Sequence, residues 1–501
     1  MRLKTLVETI TPLDVYGELC KDSEVAGLSY DSRKVVPSSV FVAIRGFKTD
    51  GHQFIGKAVA SGAQAVICED LPTELLPEVT YVKVSDSRQA LAQLSKTFFG
   101  NPSDNLKVIG VTGTNGKTTT TTLIKSILEN NGIKSGLIGT NGYEIGGEKI
   151  DAERTTPESL ELHELFAKML DAGCTVVVME VSSHSLFLKR TYGIRFDVAL
   201  FTNLSHDHLD FHETIEKYAE AKKILFDSLD KNATAIVNAD DPYSELMVKD
   251  TAAKVIRCGV VEMSNKQAAR ISTDVVAKVF SYQISGTTAV IANGTETMMH
   301  RFQMLGRFNM YNIVMAFAVG SLFSIDRINI IRGIMKCATV RGRMEQIWSK
   351  DHRCAIVDYS HTPDALEKVI SAIKQLKPED GKIITVFGCG GDRDRQKRPL
   401  MGKIADEKSD VVIITSDNPR SEEPDKILDE IEVGMTRKKN FYRIPDRNDA
   451  IRKGVTLLNR GDVLLVAGKG HETYQETKGV RQHFDDREVI EIIFKEQEDI
   501  V

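Results

Sequence analysis

The sequence predicts an α/β protein with three domains: a small mixed α/β domain at the N-terminus, a central parallel-sheet domain of the P-loop ATPase type, and a C-terminal Rossmann-like α/β domain. Three observations support this prediction. An apolar strand near residue 108 runs into a glycine-rich loop and a helix, strands and helices alternate in the last third of the chain, and 501 residues are enough for about three cores. The predicted domains span residues 1–100, 101–340 and 341–501.

The composition excludes several other classes of protein. Hydrophobic residues make up 42% of the chain and charged residues 27%, which is typical of a globular domain. A net charge of -5 provides no basic field for nucleic acid. The 7 cysteines are odd in number and form no C-x-x-C, so we expect neither a disulfide framework nor structural zinc. Without a signal-peptide core or a long apolar run, the expected location is cytoplasmic and away from membranes.

Residues 1–100 are predicted to form a small β/α unit. Strands are predicted at 39–44 and 65–68, with a short helix at 54–60 between them. The Asp31-Ser32-Arg33 segment before the first of these strands has, on its own, the composition of an ordinary turn.

The central domain begins with a phosphate-binding pattern. An apolar strand at 108–111 leads into the loop 113–118 and then into an amphipathic helix. Loop N–H groups can hold phosphate oxygens, Lys117 can reach the terminal phosphates, and the Thr118 hydroxyl suits Mg²⁺. The usual G-x-x-x-x-G-K-[ST] spacing would need glycine where Val111 stands, so a tight turn with an incidental lysine is the alternative. We expect ATP or GTP to bind here.

Polar residues follow the next two buried strands. The apolar strand 175–179 ends in Glu180, and the strand 198–201 leads into the histidine-rich segment 206–212. Open α/β sheets keep their sites at such carboxyl ends. Beside a P-loop, Glu180 suits Mg²⁺, for which His208 would be an unusual ligand. A zinc site and a solvated polar loop are the alternatives for this segment.

Two later features remain open from local sequence. Lys222 lies in a predicted helix at 215–229, where a lysine is ordinarily a surface charge. After a β-rich segment at 251–305, residues 306–312 open a helix predicted at 313–323. Asn309 and Asn312 share one face near its start, where they could cap the helix or bind the edge of adenine.

The C-terminal domain carries four polar strand ends. Strands are predicted at 354–357, 383–387, 411–414 and 463–466, and the polar segments after them are 358–361, 388–394, 417–420 and 468–472. These ends should converge on one edge of a doubly wound sheet. A dinucleotide fingerprint is excluded because Arg393 occupies its last glycine position. Arg393 and Arg420 suit carboxylates, while Asp417 and Glu472 suit ammonium groups, so we expect a zwitterionic amino acid.

Together these features describe an enzyme in which ATP activates a carboxylate as an acyl phosphate and a bound amine attacks it. Motifs along nearly the whole chain match, in order, those of one family: D-S-R (31–33), G-T-N-G-K-T-T (113–119), T-T-P (155–157), E-V-S-S-H (180–184), D-H-L-D-x-H (207–212), A-K (221–222), F-N-x-x-N (308–312), G-R-M-E (342–345), G-C-G-G-D-R-D (388–394), D-N-P-R (417–420) and G-K-G-H-E (468–472). The chain resembles the Mur ligases of peptidoglycan synthesis.

The resemblance implies a set of site residues. The catalytic set is Lys117, Glu180, His208 and a carbamylated Lys222. Mg²⁺ would be bound by Thr118, Glu180, His208 and the carbamylated Lys222. ATP would contact Gly113, Thr114, Asn115, Gly116, Lys117, Thr118, Thr119, Asn309, Asn312 and Arg343. The UDP-linked substrate would contact Tyr30, Ser32, Thr155, Thr156, Ser182 and Arg190. The incoming amino acid would contact Arg393, Asp417, Asn418, Pro419, Arg420, Gly468 and Glu472.

The resemblance also implies the substrates. D-N-P-R is typical of family members that add meso-diaminopimelate to UDP-N-acetylmuramoyl-L-alanyl-D-glutamate. The far carboxylate of diaminopimelate, which lysine lacks, could be bound by Arg420 and Arg393. If lysine bound instead, a buried guanidinium would be left unpaired at a cost of roughly a few kcal/mol, enough for strong selection. The alternatives are a lysine-adding ligase, a folylpolyglutamate-type ligase or a P-loop switch NTPase. Leu188 replaces a substrate-contacting glutamine of some relatives. We expect no nucleic-acid or membrane partner and a chain that acts as a monomer.

Overall fold

The structure is a computed structural model, and it describes residues 1–17, 23–47, 49–152, 154–263, 273–292, 298–337, 339–437 and 440–498. Cys20 and parts of the predicted β-rich segment lie outside these ranges. The chain divides into two compact units: the first contains residues 1–258 and 315–333, and the second contains residues 275–314 and 334–501. Within the described ranges, no helix is long and apolar enough to cross a membrane.

The first unit begins with a five-stranded sheet. Its strands lie in the order Asp14–Tyr16, Thr80–Lys83, Ala63–Cys68, Ser39–Val42 and Gly27–Ser29. The first pair is antiparallel and the other neighbours are parallel. Its helices are Leu3–Val7, Ile55–Ala60 and Ser87–Phe98, with 3-10 turns at Gly51–Phe54 and Pro102–Asp104. Leu6, Leu91 and Leu94 belong to the apolar core on one face of this sheet.

A parallel sheet forms the centre of the first unit. The P-loop strand Lys107–Thr112 lies between Val176–Glu180 and Val198–Phe201. Apart from Glu180, the residues of these two neighbouring strands are apolar and buried, which fits strands covered on both faces. Register pairs Glu180 with Val111, so this carboxylate leaves the sheet beside the glycine loop.

The remaining elements of this part surround those three strands. Further strands of the sheet are Ser135–Gly139, Gly142–Ile145, Glu148–Ile150, Thr234–Asn238 and Lys254–Glu262. The helices are Lys117–Asn130, Ser159–Asp171, Ser183–Phe187, Leu209–His212, Ile215–Asp227 and Ser244–Val248.

The second unit contains a doubly wound sheet. Its strand order is Glu345–Trp348, Cys354–Asp358, Val463–Ala467, Ile383–Phe387, Val411–Ile414 and Phe441–Arg443. All neighbours run parallel except the first pair. One apolar core contains residues of helices Pro363–Leu376, Lys397–Lys408 and Pro424–Glu432, and a second contains residues of Arg447–Leu457 and Asp486–Glu498. The hairpin Tyr474–Thr477 and Val480–His483 completes this part. The predicted fold class is confirmed.

The segment before this sheet differs from the prediction at one helix. Strands Val275–Gln283, Gly286–Ala292 and His300–Phe302 form an antiparallel ladder. Helix Arg307–Leu322 then begins six residues before the predicted start, and helix Arg327–Lys336 follows. Gly306 has a φ of 82°, and the residues after it contain no helix breaker, so the helix starts immediately.

Candidate active site

The phosphate-binding loop requires glycine at position 113, not at position 111. Gly113 has a φ of 142°, and a Cβ there would lie 1.9 Å from Thr202 Oγ1. Val111 instead lies inside the P-loop strand and is fully buried. The spacing that departs from the common pattern is therefore the one that this backbone needs.

Two polar side chains point from the P-loop helix into the site. Lys117 Nζ donates to the carbonyl oxygens of Gly113 at 2.8 Å and Thr114 at 3.0 Å. Thr118 Oγ1 donates to Glu180 Oε1 at 2.9 Å. The Glu180 carboxylate also accepts from the Thr140 N–H at 2.9 Å and from the Thr140 hydroxyl at 3.2 Å. A buried carboxylate is thus held in one orientation beside the phosphate loop.

Lys222 is buried, with 1% of its surface exposed, so the prediction of a surface lysine from local sequence is wrong. Its Nζ donates to Gly113 O at 3.0 Å, the carbonyl that Lys117 also uses, and lies 4.3 Å from the centroid of the Tyr218 ring. Burial, reinforced by the charge of Lys117, lowers the pKa of Lys222 well below its usual value. The environment of Lys222 therefore disfavours the charged ammonium relative to the neutral amine, which is the nucleophilic form.

The histidine-rich segment forms a cluster of rings. The rings of His208 and His212 lie 4.8 and 5.4 Å from that of His184, and Phe211 lies 4.2 Å from it. His212 Nε2 is 2.9 Å from Ser183 Oγ. Burial lowers the pKa of both His184 and His212 to about 4, and it also lowers the pKa of His208. The solvated-loop alternative is wrong for His212, which is buried, whereas the His208 side chain is half-exposed.

The side chains in this site fit Mg²⁺ better than zinc. Within the described ranges, no three His, Cys, Asp or Glu side chains gather as a metal-binding group. The adjacent Thr118 hydroxyl and Glu180 carboxylate are hard oxygen donors, which suit Mg²⁺. An amine at Lys222 adds no oxygen, whereas a carbamate there would add two.

The residues predicted to contact the UDP-linked substrate are also found in the first unit. Thr156 Oγ1 donates to Glu180 O at 2.8 Å and accepts from the Ser182 N–H at 3.2 Å. Ser182 caps the helix Ser183–Phe187, and Thr155 Oγ1 lies 3.0 Å from Thr140 Oγ1. Arg190 Nη1 donates to Thr156 O at 3.0 Å. These four residues therefore lie close to the Glu180 strand end.

Of the two N-terminal members of this set, Tyr30 is partly buried and Ser32 is buried. Tyr30 donates its hydroxyl hydrogen to Glu161 Oε1 at 2.8 Å, and Ser32 is 8% exposed. Asp31, between them, pairs with Arg33, whose hydrogen bonds lower the pKa of Asp31 to about 2.

In the second unit, the predicted convergence of strand ends is found. The strands that precede the four polar segments are parallel neighbours in the sheet, so these segments leave it at one edge. A Cβ on Gly391 would lie 1.9 Å from Pro419 O, and the Gly391 N–H donates to Asn418 O at 2.9 Å. The 388–394 and 417–420 segments, called here the recognition loops, are therefore in direct contact.

Arg420 lies on the surface formed by these glycines. Its Nη1 donates to Gly391 O at 2.8 Å, and a Cβ on Gly390 would lie 2.9 Å from the same Nη1 and 3.6 Å from Arg393 Cγ. Arg420 has a φ of 54°, which the hairpin supports through hydrogen bonds from the Arg420 N–H to Glu476 O and from the Lys478 N–H to Arg420 O. The two arginines predicted to bind carboxylates thus flank one glycine.

An acidic group adjoins them. Asn418 Nδ2 donates to Glu472 Oε2 at 2.7 Å, and Lys469, fully buried, lies 3.4 Å from the same oxygen. Burial, and the neighbouring charge of Asp417, raise the pKa of Glu472. A Cβ on Gly468 would lie 2.7 Å from Asp417 Oδ2. Arginines and acids side by side can bind both charges of an amino acid.

Comparison of the sequence with known families decides the class of protein. Three sequence models of one family match: "Mur ligase family, catalytic domain" over residues 24–99, "Mur ligase middle domain" over 111–320, and "Mur ligase, glutamate ligase domain" over 342–470. The chain belongs to the Mur ligase family. It is therefore an ATP-dependent amide ligase, as its sequence predicted.

Individual Mur ligases resemble it over nearly their whole length. A UDP-N-acetylmuramoyl-L-alanyl-D-glutamate--2,6-diaminopimelate ligase from Chlorobaculum tepidum is 50% identical over 94% of this chain and 92% of the relative. A solved structure described by the same enzyme name is 31% identical, covers 99% of both chains and has a TM-score of 0.71. The MurF ligase from Thermotoga maritima in complex with ADP shares the fold, with 22% identity and a TM-score of 0.60 over 96% of this chain and 100% of that one.

The residues predicted for ATP in the second unit make local contacts. Asn309 lies inside its helix and donates to Leu305 O at 2.9 Å, and Asn312 donates to Asn309 Oδ1 at 3.0 Å. The Arg343 guanidinium lies 5.0 Å from the centroid of the Tyr359 ring, and its buried Nε has no hydrogen-bond partner among the described residues. Arg343 therefore keeps a donor for a further group.

The structure adds residues that this Mur ligase's sequence did not single out. Thr140 binds Glu180 and follows an apolar strand, a position that could have identified it. Glu158 lies 2.9 Å from Arg190 and 2.8 Å from Arg154. Arg398 is fully buried and donates to Gly390 O of the first recognition loop, although it lies in the first turn of a helix, Lys397–Lys408, with no distinguishing motif. Unlike Thr140, Glu158 and Arg398 have no local sequence signal for these contacts.

Proposed function

We propose that this Mur ligase adds meso-2,6-diaminopimelate to the D-glutamate of UDP-N-acetylmuramoyl-L-alanyl-D-glutamate through an acyl phosphate. The observation that carries this proposal is Arg420, seated on Gly390 and Gly391 beside Arg393. A guanidinium at that place suits a second carboxylate, which diaminopimelate has and lysine lacks. The name of the Chlorobaculum tepidum relative supports the same substrates.

The activating half of the reaction is assigned to the first unit. Lys117 would neutralise charge on the γ-phosphate as the glutamate carboxylate attacks it, because its ammonium is held at the loop carbonyls. Mg²⁺, bound by Thr118 and Glu180 with His208 nearby, would supply further charge neutralisation. Thr155, Thr156, Ser182 and Arg190 would orient the acceptor peptide, since they surround the same strand end.

We assign Lys222 a covalent modification. Its neutral amine would attack CO₂ to form an N–C bond and release one proton, giving a carbamate in place of the amine. The two lysines that share Gly113 O support this assignment, because two ammonium groups on one buried carbonyl would repel each other and so disfavour the charged form of Lys222. A carbamate would instead attract Lys117 and a divalent cation.

We assign binding of the incoming amino acid to the second unit. Arg393 and Arg420 would bind the far carboxylate, and Asp417 and Glu472 would bind an ammonium group. The attacking amine must lose its proton and then forms the amide bond, releasing phosphate from the acyl phosphate. Asn418, Pro419 and Gly468 would shape the walls of this subsite.

The domain assignment is part of the proposal. Residues 1–100 would bind the UDP moiety, 101–340 would bind ATP and carry the ligase chemistry, and 341–501 would bind the amino acid. The extents of the three family matches support these boundaries. We also propose a cytoplasmic monomer. The free thiols at the described cysteines suit a reducing compartment.

The deciding experiment measures ADP release with each substrate omitted in turn. We expect release only when ATP, the UDP-muramoyl dipeptide and meso-diaminopimelate are all present. Release with ATP alone would favour a P-loop switch, and release with a folate acceptor would favour a folylpolyglutamate-type ligase. Equal turnover with L-lysine would contradict the assignment of diaminopimelate.

A further inference from the structure

Arg398 is a fully buried arginine that touches none of the groups assigned to the substrate's charges. It lies in the first turn of helix Lys397–Lys408. Its Nη1 donates to Glu422 Oε2 at 2.9 Å and to Glu430 Oε2 at 2.8 Å. Its Nη2 donates to Glu422 Oε1 at 2.8 Å and to Gly390 O at 3.2 Å. One guanidinium therefore bridges three separate segments.

One of those segments is the first recognition loop, and another directly follows the second recognition loop. Gly390 belongs to the first loop, and Glu422 lies just after the second. Glu422 Oε1 also accepts from the Asp392 N–H at 2.7 Å, and Ser421 Oγ donates to Asp392 Oδ1 at 2.6 Å. Arg398 therefore binds the same glutamate that helps to join the first recognition loop to the residues just after the second.

Gly390 links this buried network to the exposed site. The position of its missing Cβ is 2.9 Å from Arg420 Nη1 and 3.6 Å from Arg393 Cγ, while its carbonyl accepts from Arg398. A shift of this one residue would move both arginines relative to each other. Only a planar, multidentate cation can hold the Glu422 carboxylate and the Gly390 carbonyl together; lysine presents a single charged nitrogen.

We infer that Arg398 is a positioning residue for amino-acid selection: it fixes the spacing between Arg393 and Arg420 by holding Gly390 and Glu422. This inference rests on the proposed function, since it concerns how the same site selects a substrate with a second carboxylate. Arg398 itself makes no contact with the substrate in this account.

The test compares three variants by steady-state kinetics. Arg398→Lys and Glu422→Gln remove the bidentate pair, and Arg443→Lys is the matched control. Arg443 binds Asp425, Asp429 and Glu432 around helix Pro424–Glu432, and among the described residues its guanidinium pairs with neither recognition loop. We expect Arg398→Lys and Glu422→Gln to raise KM for meso-diaminopimelate by about tenfold and to reduce the preference over L-lysine. KM for ATP and for the UDP-muramoyl dipeptide should change by less than about twofold, and Arg443→Lys should resemble wild type.

The outcomes separate the inference from the function it rests on. The positioning role would be overturned if KM for diaminopimelate is unchanged in both variants, or if KM rises equally for all three substrates. In either case, diaminopimelate-dependent turnover by the wild-type protein would still uphold the proposed function. Wild-type protein without diaminopimelate-dependent ADP release would overturn both. If Arg398→Lys does not fold, Glu422→Gln decides alone, because it leaves Arg398 its contact with Glu430.

Discussion

Lys222 illustrates how much the surroundings of a residue change its chemistry. The side chain is a lysine on an amphipathic helix, yet its amine lies against Gly113 O and the Tyr218 ring. Burial disfavours the ammonium form, and the nearby Lys117 adds to this effect. The same two features make the amine available for carbamylation, which needs the neutral form.

Lys222→Arg should abolish ligase activity, because a guanidinium keeps its positive charge and forms no carbamate. We expect kcat to fall by at least about a thousandfold. Native mass spectrometry in CO₂-containing buffer should show one added CO₂ on wild type and none on the variant. Lys223→Arg, next in the chain and paired with Asp227 and Asp250, is the control and should keep full activity.

The buried side chain of His163 should make the stability of the fold sensitive to acid. Its side chain is fully buried on helix Ser159–Asp171, and neither ring nitrogen has a hydrogen-bond partner among the described residues. Burial lowers the pKa of His163 from 6.5 to about 4. Because the folded-state pKa lies below the unfolded one, the unfolded state binds more protons, and stability is lost as pH falls from about 6.5 towards 4.

This effect should be removed by His163→Leu. Between pH 7 and pH 5, wild type should lose about 2 kcal/mol of unfolding free energy more than the variant does. Urea unfolding at both pH values measures the difference. His184 and His212 have similarly low pKa values and remain in both proteins, so their contribution cancels in the comparison. Parallel pH profiles for the two proteins would contradict the assignment.

At the scale of elements, the P-loop and the hairpin show two ways of holding a backbone in an uncommon conformation. The loop at Gly113 uses glycine, because Thr202 leaves no room for a Cβ. The loop at Arg420 keeps an arginine at φ 54° and is held by hydrogen bonds to the hairpin. The first solution is visible in sequence, whereas the second depends on residues 474–483.

Gly113→Ala should prevent nucleotide binding, because the new Cβ would displace Thr202 or the loop. We expect ADP affinity to fall by at least about tenfold and stability to fall by a few kcal/mol, on the order of other strained substitutions. Gly132→Ala is the matched control: it also has positive φ, at 75°, but nothing lies within 4 Å of its Cβ position. It should cost about 1 kcal/mol and leave ADP binding unchanged. Calorimetric titration with ADP and chemical unfolding measure both quantities.

At the scale of the whole molecule, the residues proposed to bind the acceptor and those proposed to bind the incoming amino acid lie in different compact units. The phosphate loop and the residues proposed for the acceptor lie in the first, and the recognition loops lie in the second. Each unit has its own parallel sheet and its own apolar cores. Substitutions in one binding site should therefore leave the other site's ligand affinity intact.

Arg420→Ala tests this separation. We expect kcat/KM for meso-diaminopimelate to fall by about a hundredfold or more, because the far carboxylate loses a charged partner. ADP affinity should stay within about twofold of wild type. Lys478→Ala, on the neighbouring hairpin with an exposed side chain, is the control. Equal losses in amino-acid use and nucleotide binding would contradict a role confined to amino-acid recognition.

Much of the fold and the site could be predicted from residues alone. Apolar runs such as 383–387 and 411–414 match the observed strands residue for residue. The polar segments after them converge because parallel neighbours end at one edge of a sheet. Alternation of strand and helix, with chemistry at strand ends, is a local pattern and is therefore readable from the chain.

The tertiary structure decided what depends on distant residues. Lys222 is buried where its amine contacts Gly113 O, 109 positions away in the chain. Arg398 bridges separate segments only because Glu422 and Glu430 pack against it. Burial and charge pairing arise from packing between segments far apart in sequence, and no local pattern encodes them. The sequence by itself determined the family and the polar strand ends, while packing determined which charged side chains are buried and which groups they contact.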